Sequence, residues 1–449
     1  MLTFDSGCSH RYSLYYMKNH QEIARKLFSA ALQAADPYES VRNRCAAIRA
    51  AYHDQGFTRL LAIGFGKAAA AMALALEQEL DDILETGVLV TKYGHIPARK
   101  PKKFRIFEAG HPVPDENGLR GTEQILALAA GADEKTLVVT LISGGGSALL
   151  VAPGQHITLA AKQQTTNLLL RCGADIHELN TVRKHLSRVK GGRLADIISP
   201  ARTISLILSD VIGDDLDVIA SGPTAPDPTT YRDALAVLQH YDLMGQIPAE
   251  VADHLARGTR GDLAETPKSG AAAFQRVENH IIGSNRVALQ AALAAAQKLG
   301  LEAEIISSEV TGEAAEAAKM LARTAVAHQQ SWTGKPICLL SGGETVVHVK
   351  GSGTGGRNME LALCFALEIA ATSGITLLSA GTDGTDGPTD AAGALVDGDT
   401  IPAAGTETAL RYLANNDSYT FFRKYGGLFI TGPTGTNVMD VQILLIGSS

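Results

Sequence analysis

Apolar residues follow two alternating patterns along this chain: short, fully apolar runs and longer segments with helical spacing. The runs at 59–63, 136–142 and 204–208 predict buried strands. Between them, segments such as 118–130 place apolar residues three and four positions apart, which predicts helices. Strands that alternate with helices are typical of βαβ units and of a mostly parallel sheet. The pattern therefore predicts an α/β fold.

The chain is long enough for more than one domain. At 449 residues it exceeds what a single hydrophobic core usually supports, so two or three domains are expected. Residues 222–275 contain five prolines and few strand signals, which predicts helices and a linker. Strand and helix patterns resume near 280 and continue to the tail at 428–446, where two strands are predicted around a glycine-rich turn.

Composition and charge exclude several classes of protein. A hydrophobic fraction of 45% and a mean hydropathy of +0.04 indicate a soluble globular protein. The net charge of −7 argues against nucleic acid as a partner, because nucleic-acid surfaces are usually basic. No apolar run approaches the ~20 residues of a membrane span. Residues 1–18 lack the apolar core of a secretion signal, and we predict a loose extension there.

The cysteines predict the compartment. Five are scattered without a C-x-x-C pair, which fits a reducing cytoplasm and argues against disulfides or a zinc site. They are Cys8, Cys45, Cys172, Cys338 and Cys364.

A glycine-dense loop at 351–356 precedes an apolar helix at 361–370. Free backbone N–H groups and the positive end of a helix dipole make such a helix start a binding site for anions, phosphate in particular. Arg357 adds a planar guanidinium that binds phosphate or carboxylate in two places. Gly355 and Gly356 would bring the backbone close to that anion.

Two further loops follow predicted strands in the amino-terminal half. Gly64 and Gly66 form half of a dinucleotide fingerprint, without its third glycine or its acidic residue. Lys67 stands at a helix start, where the dipole disfavours a cation; an anionic partner would explain it, and a solvated surface lysine is the alternative. The second loop costs backbone entropy that a plain turn would not require, and it comprises Ser143, Gly144, Gly145, Gly146 and Ser147.

Basic residues cluster at 180–193, on what the sequence predicts to be one helix spanning 178–197. Arg183 is the candidate phosphate ligand among them, and a solvated basic face is the alternative. His111 lies in a loop fixed by prolines, where it either reaches the site or has a structural role.

Two acidic loops are candidates for metal binding or base catalysis. Asp210 follows an apolar strand at its carboxyl end, where a Mg²⁺ ligand or a base would stand. Asp383 is nearest to a strand end in the loop that also holds Asp386 and Asp390, whose spacing does not match a calcium loop. Thr434 and Asn437 lie in a turn that either contacts a phosphate or closes a hairpin.

The two halves of the chain show a weak internal echo. Residues 138–146 and 337–344 are both apolar strands that end in Ser-Gly-Gly. Ligands gather at the carboxyl ends of strands in open parallel sheets. We therefore predict a cleft between the two lobes.

Eight ordered motifs together resemble the glycerate 2-kinases, whose carboxyl-terminal part is the MOFRL domain. The similarity extends from about residue 20 to the end of the chain. The motifs lie at 64–68, 110–114, 141–148, 180–184, 209–213 with 219–224, 355–360, 381–387 and 432–437.

The resemblance implies a fold, an activity and a set of site residues. It implies a Rossmann-like parallel sheet flanked by helices at 19–260 and a MOFRL-type α/β domain with a mixed sheet at 261–449. The implied reaction is ATP- and Mg²⁺-dependent phosphorylation of D-glycerate at its 2-hydroxyl in the cleft. Because members of the family have also been labelled hydroxypyruvate reductases, a NAD(P)H-dependent reductase is the alternative.

Each predicted role falls on named residues. Lys67, Arg357 and Asp210 are the catalytic candidates, and Asp210 and Asp383 are the candidate Mg²⁺ ligands. Residues expected to contact substrate or phosphate are Gly64, Gly66, Ser143, Gly144, Gly145, Gly146, Ser147, Arg183, Gly355, Gly356, Thr434 and Asn437. The expected partners are D-glycerate and ATP, with no nucleic acid and no membrane, and a homodimer is left open.

Overall fold

The chain divides into two compact units, whose boundaries differ from the predicted domains. In a computed structural model, residues 6–332 and 334–447 are described, with side chains from His20 onward. One unit runs from Pro37 to Ile282, and we call it the parallel-sheet unit. The other, the mixed-sheet unit, joins the residues before Pro37 to those from Gly283 onward. The expected division between 260 and 261 therefore falls inside the parallel-sheet unit.

The elements follow in chain order. The helices are α1 Ser6–Ala34, α2 Pro37–Asp54, α3 Ala69–Leu80, α4 Glu116–Ala130, α5 Gly146–Leu149, α6 Leu159–Arg171, α7 Ile176–His185, α8 Arg193–Ile198, α9 Tyr231–His240, α10 Ala249–Thr259, α11 Asn285–Lys298, α12 Ala314–Gln330, α13 Arg357–Glu368, α14 Thr400–Ala404, α15 Thr406–Ala414 and α16 Ser418–Tyr425. The strands are β1 Arg59–Phe65, β2 Leu84–Lys92, β3 Phe104–Ala109, β4 Thr136–Ile142, β5 Arg202–Leu208, β6 Val277–Gly283, β7 Glu302–Val310, β8 Ile337–Gly343, β9 Ile375–Gly381, β10 Gly393–Asp397, β11 Leu428–Phe429 and β12 Asp440–Ile446.

The parallel-sheet unit has the strand order of a doubly wound nucleotide-binding fold. Its sheet runs β3-β2-β1-β4-β5-β6, with parallel pairing from β3 through β5. Alternate residues of β1 enter different cores: Ala62 packs with α2 and α3, whereas Ile63 packs with α4 and α8. Helices therefore cover both faces, and the predicted Rossmann-like sheet is confirmed. The order reverses between β1 and β4, the point where such sheets bind ligands.

The mixed-sheet unit is built on the order β11-β10-β9-β12-β8-β7. Strand β12 runs antiparallel to both β8 and β9, while β7 runs parallel to β8, so the predicted mixed sheet is confirmed. Successive side chains of β12 again point into two different cores. Ile443 packs with α1 and α11, and Leu444 packs with α12 and α13. The tail strands β11 and β12 are separated by β10 and β9, so the turn between them does not close a hairpin.

Three local predictions were wrong or incomplete. The helix predicted at 178–197 breaks into α7 and α8, because Gly191 and Gly192 have φ angles of +57° and +81° that end a right-handed helix. Backbone predicted as part of a loose extension is helical from Ser6 in α1. Strand β10 had not been predicted. In the part of the chain that the structure describes, no helix has both the length and the apolar content needed to cross a membrane.

Candidate active site

The loops after β1 and β4 bond to each other at the reversal point of the parallel sheet. The N–H of Lys67 donates to the carbonyl of Gly144 at 2.9 Å, and the N–H of Ala68 donates to Oγ of Ser143 at 3.0 Å. The backbone that carries Lys67 is thus fixed against the glycine loop.

Two glycines allow this close approach. Gly66 has φ +125°, and a Cβ there would lie 2.2 Å from Oγ of Ser143. A Cβ on Gly144 would lie 2.3 Å from Oδ2 of Asp210. Real Cβ atoms do not approach so closely, so these positions require glycine for space. Gly64 lies inside β1, where its Cβ would lie 3.1 Å from that of Leu89, and its role is therefore packing.

Lys67, Asp210 and His111 surround the same glycine loop. A Cβ on Gly145 would lie 2.9 Å from Cδ2 of His111 and 3.4 Å from Cε of Lys67. Burial raises the pKa of Asp210, while the charge of Lys67 opposes that shift. Burial, followed by the charge of Lys67, lowers the pKa of His111 to about 4. His111 is therefore neutral at pH 7.

The far end of the loop is tied to a strained turn. Ser147 donates through Oγ to Oγ of Ser221 at 2.9 Å, and Ser221 donates in turn to Oδ1 of Asn180 at 2.9 Å. Ala220 and Ser221 have φ angles of +51° and +63°, which non-glycine residues rarely adopt. A Cβ on Gly146 would lie 2.8 Å from the Cβ of Ala220, so the loop packs directly on this turn.

Arg183 and its neighbours on α7 point in different directions. Arg183 lines a cavity of about 480 Å³ together with Ser147. Lys184 is 2% exposed and forms ion pairs with Asp217 at 2.9 Å and with Asp227 at 3.2 Å. A solvated basic face is therefore wrong for Lys184, which has a structural role.

His185 is also buried. Its Nε2 lies 2.8 Å from Oε1 of Glu265, and its Nδ1 lies 2.8 Å from the carbonyl of Thr181. These contacts join α7 to the segment that follows α10. A solvated basic face, the alternative for this cluster, is therefore wrong for His185 as well.

In the mixed-sheet unit, the start of α13 is occupied by a side chain of the protein itself. The carboxylate of Asp386 accepts hydrogen bonds from the N–H groups of Asn358 at 3.1 Å and Met359 at 2.8 Å. A Cβ on Gly356 would lie 2.3 Å from Cγ of Asp386, and one on Gly355 would lie 2.3 Å from Oγ of Ser418. The glycines thus admit close neighbours, and the carboxyl group of Asp386 lies at the helix start where the sequence predicted a bound anion. Burial raises the pKa of this carboxyl to about 7.

Arg357 is held in a two-pronged contact. Its Nε donates to Oδ2 of Asp440 at 2.6 Å, and its Nη2 donates to Oδ1 at 2.9 Å. Its Nη1 lies 3.1 Å from Oε1 of Glu344. Burial alone would lower the pKa of Arg357, but the hydrogen bond to Asp440 and the negative charges of Asp440, Glu344 and Asp386 together outweigh it and raise that pKa. The guanidinium therefore stays charged, with its orientation set by Asp440.

Asp383 and Thr434 meet in one group of loops. Oδ1 of Asp383 accepts from the N–H of Thr385 at 3.0 Å, and its carbonyl accepts from the N–H of Thr434 at 3.4 Å. Asn437 closes a local turn, accepting the N–H of Met439 on Oδ1 at 3.1 Å. Among the described residues, no group of three or more His, Cys, Asp or Glu side chains is placed to hold a metal ion. Mg²⁺ usually needs only one or two protein carboxylates, because substrate phosphates supply further ligands. Asp210 and Asp383 are each a carboxylate of this kind.

The predicted site residues thus fall into two sets, one in each unit. Lys67, Asp210 and the loop 143–147 come together in the parallel-sheet unit, and Arg183 lines the cavity beside Ser147. The others lie in the mixed-sheet unit, and they are Arg357, Gly355, Gly356, Asp383, Thr434 and Asn437. That both sets share one cleft stays a prediction.

Sequence reasoning missed two residues near these groups, Lys162 and Asp440, and gave a third, Asp386, no specific role. Lys162 lines the cavity, but a single lysine in a helical pattern gives no signal. Asp386 had been noted only as one of three acids in a loop. Asp440 had a signal, because it is a charged residue that directly precedes the apolar run of β12.

Comparison with known proteins gives matches over most of the chain. Residues 23–256 match the family model described as domain of unknown function DUF4147, and residues 337–440 match the MOFRL family. A D-glycerate 2-kinase from Thermotoga maritima is 44% identical over 432 residues, covering 95% of this chain and 98% of that protein. An Agrobacterium vitis protein provisionally named a hydroxypyruvate reductase is 41% identical over 435 residues, covering 95% and 94%.

A solved structure matches the fold as well. The crystal structure of a glycerate kinase from Thermotoga maritima aligns with a TM-score of 0.86 at 43% identity, covering 96% of this chain and 100% of that one.

Proposed function

This chain belongs to the glycerate 2-kinase family, and from that premise we propose that it transfers the γ-phosphoryl group of ATP to the 2-hydroxyl of D-glycerate. The observation that carries the proposal is the assembly of Lys67, Asp210 and the glycine loop 143–147 at the reversal point of the parallel sheet. Phosphoryl transfer depends on positioning and on neutralising charge rather than on covalent help from the protein. This assembly offers groups for both tasks.

Lys67 supplies the positive charge. The bond from its N–H to Gly144 fixes its backbone, so its ammonium group projects from a rigid base beside the loop. A cation held in place at the transferring phosphoryl group stabilises charge that develops in the transition state. This role also explains a lysine at a helix start, where the dipole otherwise disfavours it.

Asp210 is the candidate acceptor of the proton from the 2-hydroxyl. Burial raises its pKa, which makes the carboxylate a stronger base, and the charge of Lys67 limits that shift. Its carboxylate lies against Gly144, which is part of the loop proposed to bind phosphate.

Asp210 or Asp383 would also hold Mg²⁺. Bound there with the nucleotide, the ion would neutralise charge on the phosphate oxygens.

Arg357 is proposed to bind the carboxylate of glycerate. Asp440 holds Nε and Nη2 and thereby fixes the plane of the guanidinium. Nη1 faces Glu344, on the wall of a second cavity of about 550 Å³. A planar fork with a fixed orientation suits a carboxylate better than a flexible ammonium would.

The alternative function is a NAD(P)H-dependent hydroxypyruvate reductase. It is favoured by the name of the Agrobacterium vitis relative and by the spacing of Gly64 and Gly66. The missing third glycine and acidic residue count against it.

One pair of assays separates the two functions. Mixing the protein with ATP, Mg²⁺ and D-glycerate should release ADP, with L-glycerate and hydroxypyruvate as comparison substrates. Mixing it with hydroxypyruvate and NADH or NADPH should leave the nicotinamide absorbance unchanged. ADP release that does not depend on any hydroxy acid, or rapid loss of the nicotinamide absorbance, would overturn the proposal.

A further inference from the structure

Helices α6 and α7, together with the loop at 111–114, line a cavity of about 480 Å³ in the parallel-sheet unit. Lys162, Thr166 and Leu170 line it from α6 at intervals of four residues, and Leu179 and Arg183 line it from α7 at the same interval. Each helix therefore presents one face to the cavity. A volume of this size is typical of pockets that bind molecules much larger than a three-carbon acid, since such pockets range over about 300–1,000 Å³.

Three cations line the cavity without an anionic partner. Lys162 is 5% exposed, and its Nζ reaches only the carbonyls of Leu186 at 3.2 Å and Arg183 at 3.4 Å. Lys190 is 0% exposed, and its Nζ reaches the carbonyl of Ala220 at 3.4 Å. Among the described residues, no carboxylate lies close enough to shift the pKa of Lys162, Arg183 or Lys190.

Such an arrangement is unfavourable unless something anionic binds there. Buried charges in proteins are normally paired, because removing an ion from water costs several kcal/mol. Here burial lowers the pKa of all three groups, and the pKa of Lys162 falls to about 7. Arg183 adds to the shift of each lysine, so the three charges also repel one another. The neighbouring Lys184 shows the contrast, because two aspartates neutralise it.

The cavity also has the lining that a nucleotide needs. Val113, Leu170 and Leu179 provide aliphatic surface for a base, and Asn167 provides an amide for hydrogen bonding. Ser147 connects the cavity to the glycine loop proposed for phosphoryl transfer.

We propose that this cavity is the nucleotide pocket, in which Lys162, Arg183 and Lys190 bind the phosphate groups of ATP or ADP and the aliphatic wall receives the base. The proposal rests on the proposed kinase function for its choice of ligand. Both glycerate and the nucleotide are anions, and the volume favours the nucleotide. Binding of the glycerate carboxylate to the three cations is the competing outcome.

The test measures binding without turnover. ADP and D-glycerate are titrated separately into the full chain by calorimetry, for wild type, Lys162→Met and Arg183→Gln. Lys135→Met is the matched control, because Lys135 is exposed and lies in the same unit. Each loss of a charge-assisted contact should weaken ADP binding by about tenfold or more. The affinity for D-glycerate should change by less than about threefold, which is clearly smaller than the loss expected for ADP. The control variant should bind both ligands as wild type does.

Three results would overturn the pocket assignment. Weaker D-glycerate binding with unchanged ADP binding would assign the cations to the substrate carboxylate. Unchanged binding of both ligands would mean that the cations hold no anion of this reaction. Weaker ADP binding accompanied by loss of the folded state would indicate a structural role. Thermal unfolding measures this last case, and Lys162→Met should leave the melting temperature unchanged or raised, since it removes an unpaired buried charge.

The pH dependence gives a second readout. Lys162 must be protonated to bind a phosphate, so ADP affinity should rise as the pH falls through about 7. That slope should be smaller in Lys162→Met and unchanged in Lys135→Met, whereas a slope as steep in Lys162→Met as in wild type would count against the proposal. Because ADP binding is measured directly, wild type that binds ADP but never phosphorylates glycerate would refute the kinase function and leave the pocket standing.

Discussion

Arg357 and Asp440 form a bidentate pair, with Nε–Oδ2 and Nη2–Oδ1 distances of 2.6 and 2.9 Å. Arg357 opens α13, and Asp440 opens β12, the strand between β8 and β9. The pair therefore fixes the start of a helix to the centre of the mixed sheet. The side chain of Asp440 is 1% exposed and that of Arg357 is 32% exposed, so one partner is fully desolvated and the other keeps a solvent-facing edge.

Asp440→Asn should lower both stability and activity. Removing one partner of a buried pair costs about 3–5 kcal/mol, and the exposure of Arg357 reduces the expected loss in the free energy of unfolding to about 2 kcal/mol. Denaturant unfolding measures the loss, and kcat for glycerate phosphorylation should fall with it. Asp399→Asn, at an exposed carboxylate in the same unit, should match wild type. Wild-type kcat in Asp440→Asn would show that the pair does not orient Arg357 for catalysis.

Lys67→Ala and Arg357→Ala should each lower kcat by at least about tenfold, or roughly 1.4 kcal/mol of transition-state stabilisation. Steady-state kinetics with ATP and D-glycerate measure the effect, and Lys135→Ala serves as the control for loss of a lysine. Lys67→Ala should fold normally, because the bonds that fix this position come from its backbone. A wild-type rate in either variant would refute the role assigned to that residue.

Gly144→Ala tests the contact between the glycine loop and Asp210. The added Cβ would lie 2.3 Å from Oδ2, so the carboxylate must move, at a cost of about 1–3 kcal/mol as for other overpacked sites. We expect a marked drop in kcat. Gly131→Ala is the matched control, because a Cβ there comes no closer than 3.5 Å to the nearest heavy atom and the φ of −87° suits alanine. Equal activity in the two variants would mean that the position of Asp210 does not matter.

The lowered pKa of Glu265 implies that the fold loses stability in acid. Burial alone would raise its pKa, but hydrogen bonds from His185 and from the N–H groups of Tyr231 and Thr266 lower it to about 2, from 4.5 when unfolded. A depressed carboxyl pKa stabilises the fold above the unfolded value, and that stability is lost as the pH falls from 4.5 toward 2.

Glu265→Gln should therefore be less stable than wild type at pH 7, and the difference should shrink across this acidic window. Thermal unfolding as a function of pH measures it, with Glu134→Gln at an exposed carboxylate as the control. A difference that stays constant from pH 7 to pH 2 would contradict the assigned ionic contact.

Much of the fold was predictable because its strands are fully apolar and short. Strand β4 has the predicted bounds, and the α/β alternation in the parallel-sheet unit follows from such runs. The break between α7 and α8 was missed because the helical spacing of apolar residues across 178–197 was given more weight than the helix-breaking pair Gly191 and Gly192. The placement of α1 was not predictable, since its apolar face packs against α11, which begins only at Asn285.

The candidate site was predictable only in part. Loops that follow strands can be recognised by their glycines, whereas the side chains that contact those loops have no such sequence pattern. Lys67 and the loop 143–147 were found from local patterns, and the structure places them together. The loop before α13 has the same pattern, yet Asp386 fills its helix start. Glycine density signals a close approach of the backbone and leaves open whether a ligand or a side chain makes it.

The most direct test of the proposed function is the phosphorus NMR spectrum of the product formed from ATP, Mg²⁺ and D-glycerate. Phosphorylation at the 2-hydroxyl places the phosphate next to a single C–H, so the product signal should be a doublet from coupling to one proton, accompanied by ADP. A signal split by two methylene protons would show transfer to the 3-hydroxyl, and no new phosphate ester at all would contradict the kinase function itself.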